Sequence, residues 1–305
     1  MPARPRERIT LHGLEGEILA RSARGDGRHL VMRVELAGRP AVLKLFGRKR
    51  DWLRDWMRDF GQRVLVGKTG MAPVARQRTE RESIEIWRAE GFDVPALLDW
   101  PLPAAVPPCR LLLEWLPGEL LSELVYQPGV EPEEKQRLLT RLAREMARRH
   151  RRALERCEPR LVQSHASLAH VMVVPVAAAP PAGAATAAGE RLVHFDFEVA
   201  WARRSALERL VVLEVGQWVE SIASFAPTEQ IGPLIGAFVR AYGETERLRG
   251  LVATIRRGRV PLLAPLNRVR LQLRERGPRQ RLAVLAHVEA ALAGADRNPG
   301  TERSE

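Results

Sequence analysis

Three short stretches of alternating apolar and polar residues, separated by glycine-bearing turns, fill positions 16 to 46 and commit that part of the chain to an antiparallel sheet. "GEILARSA" runs into the turn "RGDGR", "HLVMRVEL" runs into "AGRP", and "AVLKLF" completes the meander. The second half has a different period. "SALERLVVLEVGQWVESI" opens a run of helical spacing that continues to about residue 295. Strands gathered at one end and helices at the other predict an α+β chain with segregated lobes.

"RQRTERESIEIWRAEG" predicts a charged helix with Ile84, Trp87 and Ile86 turned inward, ended by Gly91. "CRLLLEWL" reads as a buried strand, and "PGELLSELV" as a turn into a short helix. The strongest helix is "PEEKQRLLTRLAREMARRHRRALERC", with a proline and acids at its start, arginines at its end and leucines at helical spacing. "VMVVPV" and "RLVHFDFEVAW" read as a hairpin whose second strand carries one buried-looking acid, Asp196. The "AAAPPAGAATAAG" stretch at 177–189 predicts a flexible low-complexity loop, and 296–305 a disordered tail. The expected division is a small β-rich N-lobe over 1–116 and a larger helical C-lobe over 117–295. A cleft between two such lobes is a natural ligand site. In "GRKRDWLRDWMRDFGQRVLVG", Trp52, Trp56 and Phe60 recur every four residues, which predicts core packing, with an interfacial membrane helix as the alternative.

Lys and Arg number 49 against 37 Asp and Glu, a formal charge of +12. That excess points to anionic partners: nucleic acid, an anionic membrane face or phosphorylated substrates. Two Tyr, seven Phe and no RNA-binding signature leave base stacking little to work with, which argues against nucleic acid. Cys109 and Cys157, the two cysteines, offer neither a disulfide scaffold nor a zinc cluster. No apolar run is long enough to span a bilayer, and "MPARPRERIT" has no apolar stretch behind it. The expected location is the cytoplasm, with peripheral attachment at the inner membrane through anionic lipid.

Phosphoryl transfer on a protein-kinase scaffold asks for few groups. A lysine on the third strand meets the α and β phosphates, a helix glutamate holds it, a loop Asp positions the acceptor hydroxyl, and a second Asp holds Mg²⁺. Lys44 in "AVLKLF" stands on the third strand of the meander, and Glu80 lies in the following helix. Asp196 follows an apolar strand, with Phe197 behind it as in D-F-G. A lone strand lysine is commonly just an exposed charge; the order and spacing of all three give it meaning.

From about residue 13 to residue 243 the chain resembles the bacterial lipopolysaccharide kinases that phosphorylate Kdo or core heptose, a branch of the protein-kinase-like fold. The resemblance runs through "GEILARSARGDGRHLVMRVELAGRPAVLKLF", "ERESIEIWRAEG", "QSHASLAHVMV" and "HFDFE". It implies ATP and Mg²⁺ as cofactors and a lipopolysaccharide-type sugar hydroxyl as acceptor. It gives Lys44 and Glu80 to the nucleotide and Asp196 to the metal. His170 falls on a family histidine where most kinases place a metal-binding Asn.

The same comparison exposes a departure. Gln163, Ser164 and His165 stand where the family has H-R-D, so the acceptor-positioning acid is replaced by His165. The loop contains no carboxylate in either register. Gly25 and Gly27 offer only a plain turn in place of a glycine-rich phosphate loop. Glu214 is the candidate for the helix acid that supports the loop from below, His150 reads as packing, and His194 as core or cleft lining. General-base contributions are about 10²- to 10⁴-fold, so losing the acid weakens turnover without forbidding it. His165 acting as a neutral base near pH 7 and a pseudokinase that binds nucleotide or a partner without turnover both remain open at this point.

Overall fold

The computed structural model describes residues 7–21, 29–47, 60–61, 67–175, 189–204, 206–256 and 278–296. The class is mixed α+β, as expected: an antiparallel sheet in the N-terminal region and helices through the C-terminal part. The chain divides into two compact units, Met1–Gly118 with Met172–Arg203, and Glu119–Val171 with Arg204–Glu305. The hairpin that leads to Asp196 therefore clusters with the first unit.

In the first unit, β1 (Arg8–Leu11), β2 (Leu14–Arg21), β3 (Leu30–Leu36), β4 (Arg39–Leu45) and β5 (Arg110–Glu114) form one sheet, each strand antiparallel to the next. Strand β1 is additional to the meander read from the sequence. It turns into β2 through His12 and Gly13, both at positive φ (53° and 77°), the backbone a tight two-residue hairpin requires. Alternation sorts the side chains. Leu30, Met32 and Val34 of β3 and Ala41, Leu43 and Leu45 of β4 bury one face with Leu14 and Leu112. Lys44, in register with Val31 and Leu111, points from the other face.

Helix α1 (Pro73–Ala89) begins at a proline in its first turn and is closed by Gly91 at φ 76°, with the Phe92 amide donating to the Trp87 carbonyl at 2.9 Å. Arg76, Thr79, Glu80, Ser83, Ile84 and Trp87 form its buried face, and Ile86 is half-buried. Strands β6 (Val171–Pro175) and β7 (Glu190–His194) are neighbours in a short sheet. Met172, Val174 and Val193 pack with Leu116. Strand β7 stops at His194, and residues 200–202 return along 67–69: the Thr69 amide donates to Ala200 O at 2.9 Å, and the Ala202 amide to Gly67 O at 2.8 Å.

The second unit holds α2 (Leu121–Tyr126), α3 (Pro132–Arg156), α4 (Leu207–Phe225), α5 (Ile231–Tyr242), α6 (Thr245–Arg256) and α7 (Pro278–Asp296). Helix α3 carries Glu133 and Glu134 in its first turn and Arg156 in its last, each charge opposing the nearer end of the helix dipole. Its buried Leu138, Leu139, Leu142 and Met146 each contribute about 1.5–3 kcal/mol by leaving water. The helix packs on α5. Among the described residues no helix is long and apolar enough to cross a membrane. Trp52, Trp56, Gly25, Gly27, residues 177–188 and residues 297–305 lie outside the described residues.

Candidate functional site

One buried cation organises the first unit. Lys44 is buried, with 5% of the residue exposed, and its Nζ lies 2.7 Å from Glu80 Oε2, 2.9 Å from Asp196 Oδ1 and 3.2 Å from Glu198 Oε1. Strand alternation aims Lys44 away from the sheet core, and the 3.6-residue period of α1 puts Glu80 on that helix's buried face. Asp196 arrives from the turn after β7, with its backbone at φ 68°. A residue bearing a β-carbon occupies that region only where its surroundings hold it there. The structure thus brings Lys44, Glu80 and Asp196 together.

A second cation backs the first. Arg76, one turn before Glu80 on α1, is fully buried. Its Nη1 donates to Glu198 Oε2 at 2.9 Å, its Nε donates to Met71 O at 3.1 Å, and its Nη2 donates to Gly47 O. His29 Nε2 lies 3.1 Å from Glu198 Oε1, and His29 Nδ1 donates to Leu45 O at 3.1 Å.

The electrostatics follow from burial. Desolvation alone would lower the Lys44 pKa, but Asp196, Glu80 and Glu198 outweigh it and raise it well above the usual lysine value, so the ammonium stays charged. For Glu80 burial is the largest influence; with Asp196 and Glu198 it overcomes the pull of Lys44 and raises the carboxyl to about 7. Placing a cation near Asp196 would relieve this crowding. Glu80, Asp196 and Glu198 each offer an oxygen, all within 4.8 Å of one another. An all-oxygen donor set suits Mg²⁺. Asp196 is the open member, with 40% of its side chain exposed, whereas Glu80 and Glu198 are turned to Lys44 and Arg76. The acid read from sequence as buried is thus exposed, because the strand ends two residues before it; the buried acid is Glu198. His194 is core, its ring 5.2 Å from that of Trp87.

His165 and His170 belong to the second unit. His165 is exposed, at the tip of the 161–170 loop, and its carbonyl accepts from His170 Nδ1 at 2.9 Å. A carbonyl can only accept, so Nδ1 carries a hydrogen. Imidazole nitrogen is a poor match for Mg²⁺.

Helix α4 fixes this loop through three side chains on one face. Glu214 Oε2 accepts from the Gln163 amide at 2.7 Å, Gln217 Oε1 from the Ala166 amide at 2.7 Å, and Ser221 Oγ from the Leu168 amide at 2.9 Å. Glu214 is itself fully buried and also accepts from Arg149, His150 and Trp218 Nε1. Burial would raise its carboxyl, but Arg149, with His150 beside it, outweighs burial and holds it far below the usual carboxylate range. His150, which also contacts the Tyr242 hydroxyl at 2.9 Å, has its own pKa lowered, burial outweighing Glu214.

No family model matches the chain, and no curated protein matches it. Among solved structures, "WaaP in complex with acyl carrier protein" matches over 80% of this chain and 88% of that chain, at 16% identity and a TM-score of 0.46.

Glu198, Arg76 and His29 were not singled out by the sequence. The available signals were weak: Glu198 follows Asp196 by two positions, and Arg76 precedes Glu80 by four. Gln217 and Ser221 likewise share the α4 face of Glu214, at helical spacing.

Proposed function

We propose that this chain is a protein-kinase-like nucleotide-binding protein of the lipopolysaccharide kinase type, with phosphoryl transfer to a sugar hydroxyl weakened by the loss of the loop acid. The reading is carried by the Lys44 ammonium, held 2.7 Å from Glu80 and 2.9 Å from Asp196. Bound ATP would supply the phosphoryl group, and Mg²⁺ would neutralise charge on its phosphates. Lys44 is the group that meets the phosphates; Glu80 orients it and compensates its charge. Asp196, the exposed carboxylate, is the group that holds the ion. His165 stands where the resemblance puts the acceptor-orienting acid, and its imidazole is the group that would take the acceptor proton. The +12 charge fits work at an anionic membrane face.

The test is thermal unfolding with ATP and Mg²⁺, beside Asp196→Ala. Ligand at 100 times its Kd stabilises by about 2.7 kcal/mol, a rise in Tm of roughly 4 °C for a chain of this size. The rise is expected to need Mg²⁺ and to vanish in Asp196→Ala. No rise in the parent protein overturns the reading.

A second reading, a pseudokinase that binds nucleotide without turnover, is favoured by one observation: residues 161–170 contain no carboxylate. The two readings part at His165→Asp. A weakened enzyme regains phosphotransfer, by about 10²-fold or more given the size of general-base contributions, in an assay with an isolated lipopolysaccharide core acceptor. A pseudokinase gains nothing.

A further inference from the structure

Asp196 is held in a strained backbone conformation two residues before Glu198, and Glu198 touches Lys44, Arg76 and His29. Glu198 Oε1 lies 3.2 Å from Lys44 Nζ and 3.1 Å from His29 Nε2, and its Oε2 accepts from Arg76 Nη1 at 2.9 Å. Glu198 and Arg76 are both buried. Arg76 in turn grips the carbonyls of Gly47, just past β4, and Met71, just before α1. One carboxylate therefore ties the segment after Asp196 to the end of the strand that carries Lys44 and to the start of the helix that carries Glu80. Beyond Glu198 the tie continues through the Ala200 amide, which donates to Thr69 Oγ1 at 3.0 Å, and the Ala202–Gly67 bond.

We infer that Glu198 is a positioning residue for this site: it fixes Asp196 through the Arg76 anchor and holds Lys44 beside Glu80. The inference rests on the nucleotide-site reading above and deepens it. Glu198 stands at the third position of "DFE", where the D-F-G pattern has glycine. A glycine there has no side chain with which to hold its neighbours. In this chain the third position supplies a charged strut, and the carboxylate that meets the metal is not left to a mobile turn. The strut also leaves Lys44 with two buried counter-ions, Glu80 and Glu198, when Asp196 turns to a cation. The residue does not meet the nucleotide; it acts through Asp196 and Lys44.

The test compares the full chain with Glu198→Gln, which keeps the shape and removes the charge, and with Glu198→Asp. Two quantities are measured: amide hydrogen exchange at Ala200 and Ala202, and ATP affinity with and without Mg²⁺. Glu198→Gln is expected to speed exchange at both amides at least 10-fold. It is also expected to reduce the Mg²⁺-dependent gain in ATP affinity about 10- to 100-fold, the range for residues that orient a metal ligand, with partial recovery of both in Glu198→Asp. Parent-like exchange in Glu198→Gln overturns the inference. So does faster exchange with an intact Mg²⁺-dependent gain, since the strut would then be structural only. If the parent protein binds no ATP at all, the nucleotide-site reading falls. In that case exchange, with its recovery in Glu198→Asp, alone decides whether Glu198 holds the segment.

Discussion

Lys44→Met is expected to reduce affinity for Mg²⁺–ATP by about 10- to 100-fold, the worth of one hydrogen bond from a charged donor at roughly 1.5–3 kcal/mol. The same variant loses about 3–5 kcal/mol of stability in urea, the usual cost of leaving a buried ion-pair partner uncompensated. Both effects come from one atom, because Lys44 Nζ is shared by Glu80, Asp196 and Glu198. The double variant Lys44→Met with Glu80→Gln separates them. Removing both charges avoids the orphaned carboxylate, so most of the stability returns while the affinity does not. Unchanged affinity in a folded Lys44→Met protein would remove Lys44 from the nucleotide site.

A second large effect is expected at Glu214. Its carboxylate serves Arg149, His150, Trp218 and the Gln163 amide, all without access to water. Glu214→Gln leaves the Arg149 guanidinium buried without a counter-charge and should cost about 3–5 kcal/mol, read as a lowered urea midpoint at unchanged slope. The pH dependence follows from the sign of the shift. A carboxyl depressed in the folded protein contributes stability that is present above its unfolded pKa of 4.5 and is lost as pH falls toward the folded value. His150, also depressed by burial, adds an acid-sensitive contribution that fades as pH falls below 6.5. From these two groups the parent protein should lose stability on acidification below about pH 6.5, opposed between about pH 7 and 4.5 by a gain from Glu80, raised to about 7, and Glu214→Gln should lose much less than the parent below pH 4.5. A variant within 1 kcal/mol of the parent at pH 7 would mean that Arg149 finds another partner.

Lys44, Glu80 and Asp196 were legible because each is announced locally, by a strand, a helix and a post-strand turn whose order is visible along the chain. Glu198 and Arg76 were not, since their meaning lies in a contact across 122 positions. Local pattern carries no information about which distant charge a buried Arg will meet. The α+β class, the long helix over 132–156 and the short one after residue 120 followed from periodicity together with local end signals, such as the proline and acids that open the long helix and the Pro-Gly turn before the short one. Strand β1 escaped because four residues of edge strand, only partly buried, give too short an alternation to stand out. The burial of Asp196 was misjudged for a related reason: an apolar run before an acid suggests that the strand continues, and only the left-handed turn at Asp196 says that it has ended.

The rungs that α4 offers to the 161–170 loop are side chains of the helix, and the loop replies chiefly with backbone N–H groups, joined by the Ser167 hydroxyl 3.4 Å from that of Ser221. Every residue but proline supplies the same N–H. The shape of the loop is therefore written in Glu214, Gln217 and Ser221, some fifty positions away, and what the loop displays at its tip is a separate choice. Such a mount accepts a new fitting without being rebuilt: a histidine can replace an acid at position 165, or an acid a histidine, in a single codon change that folding would barely register.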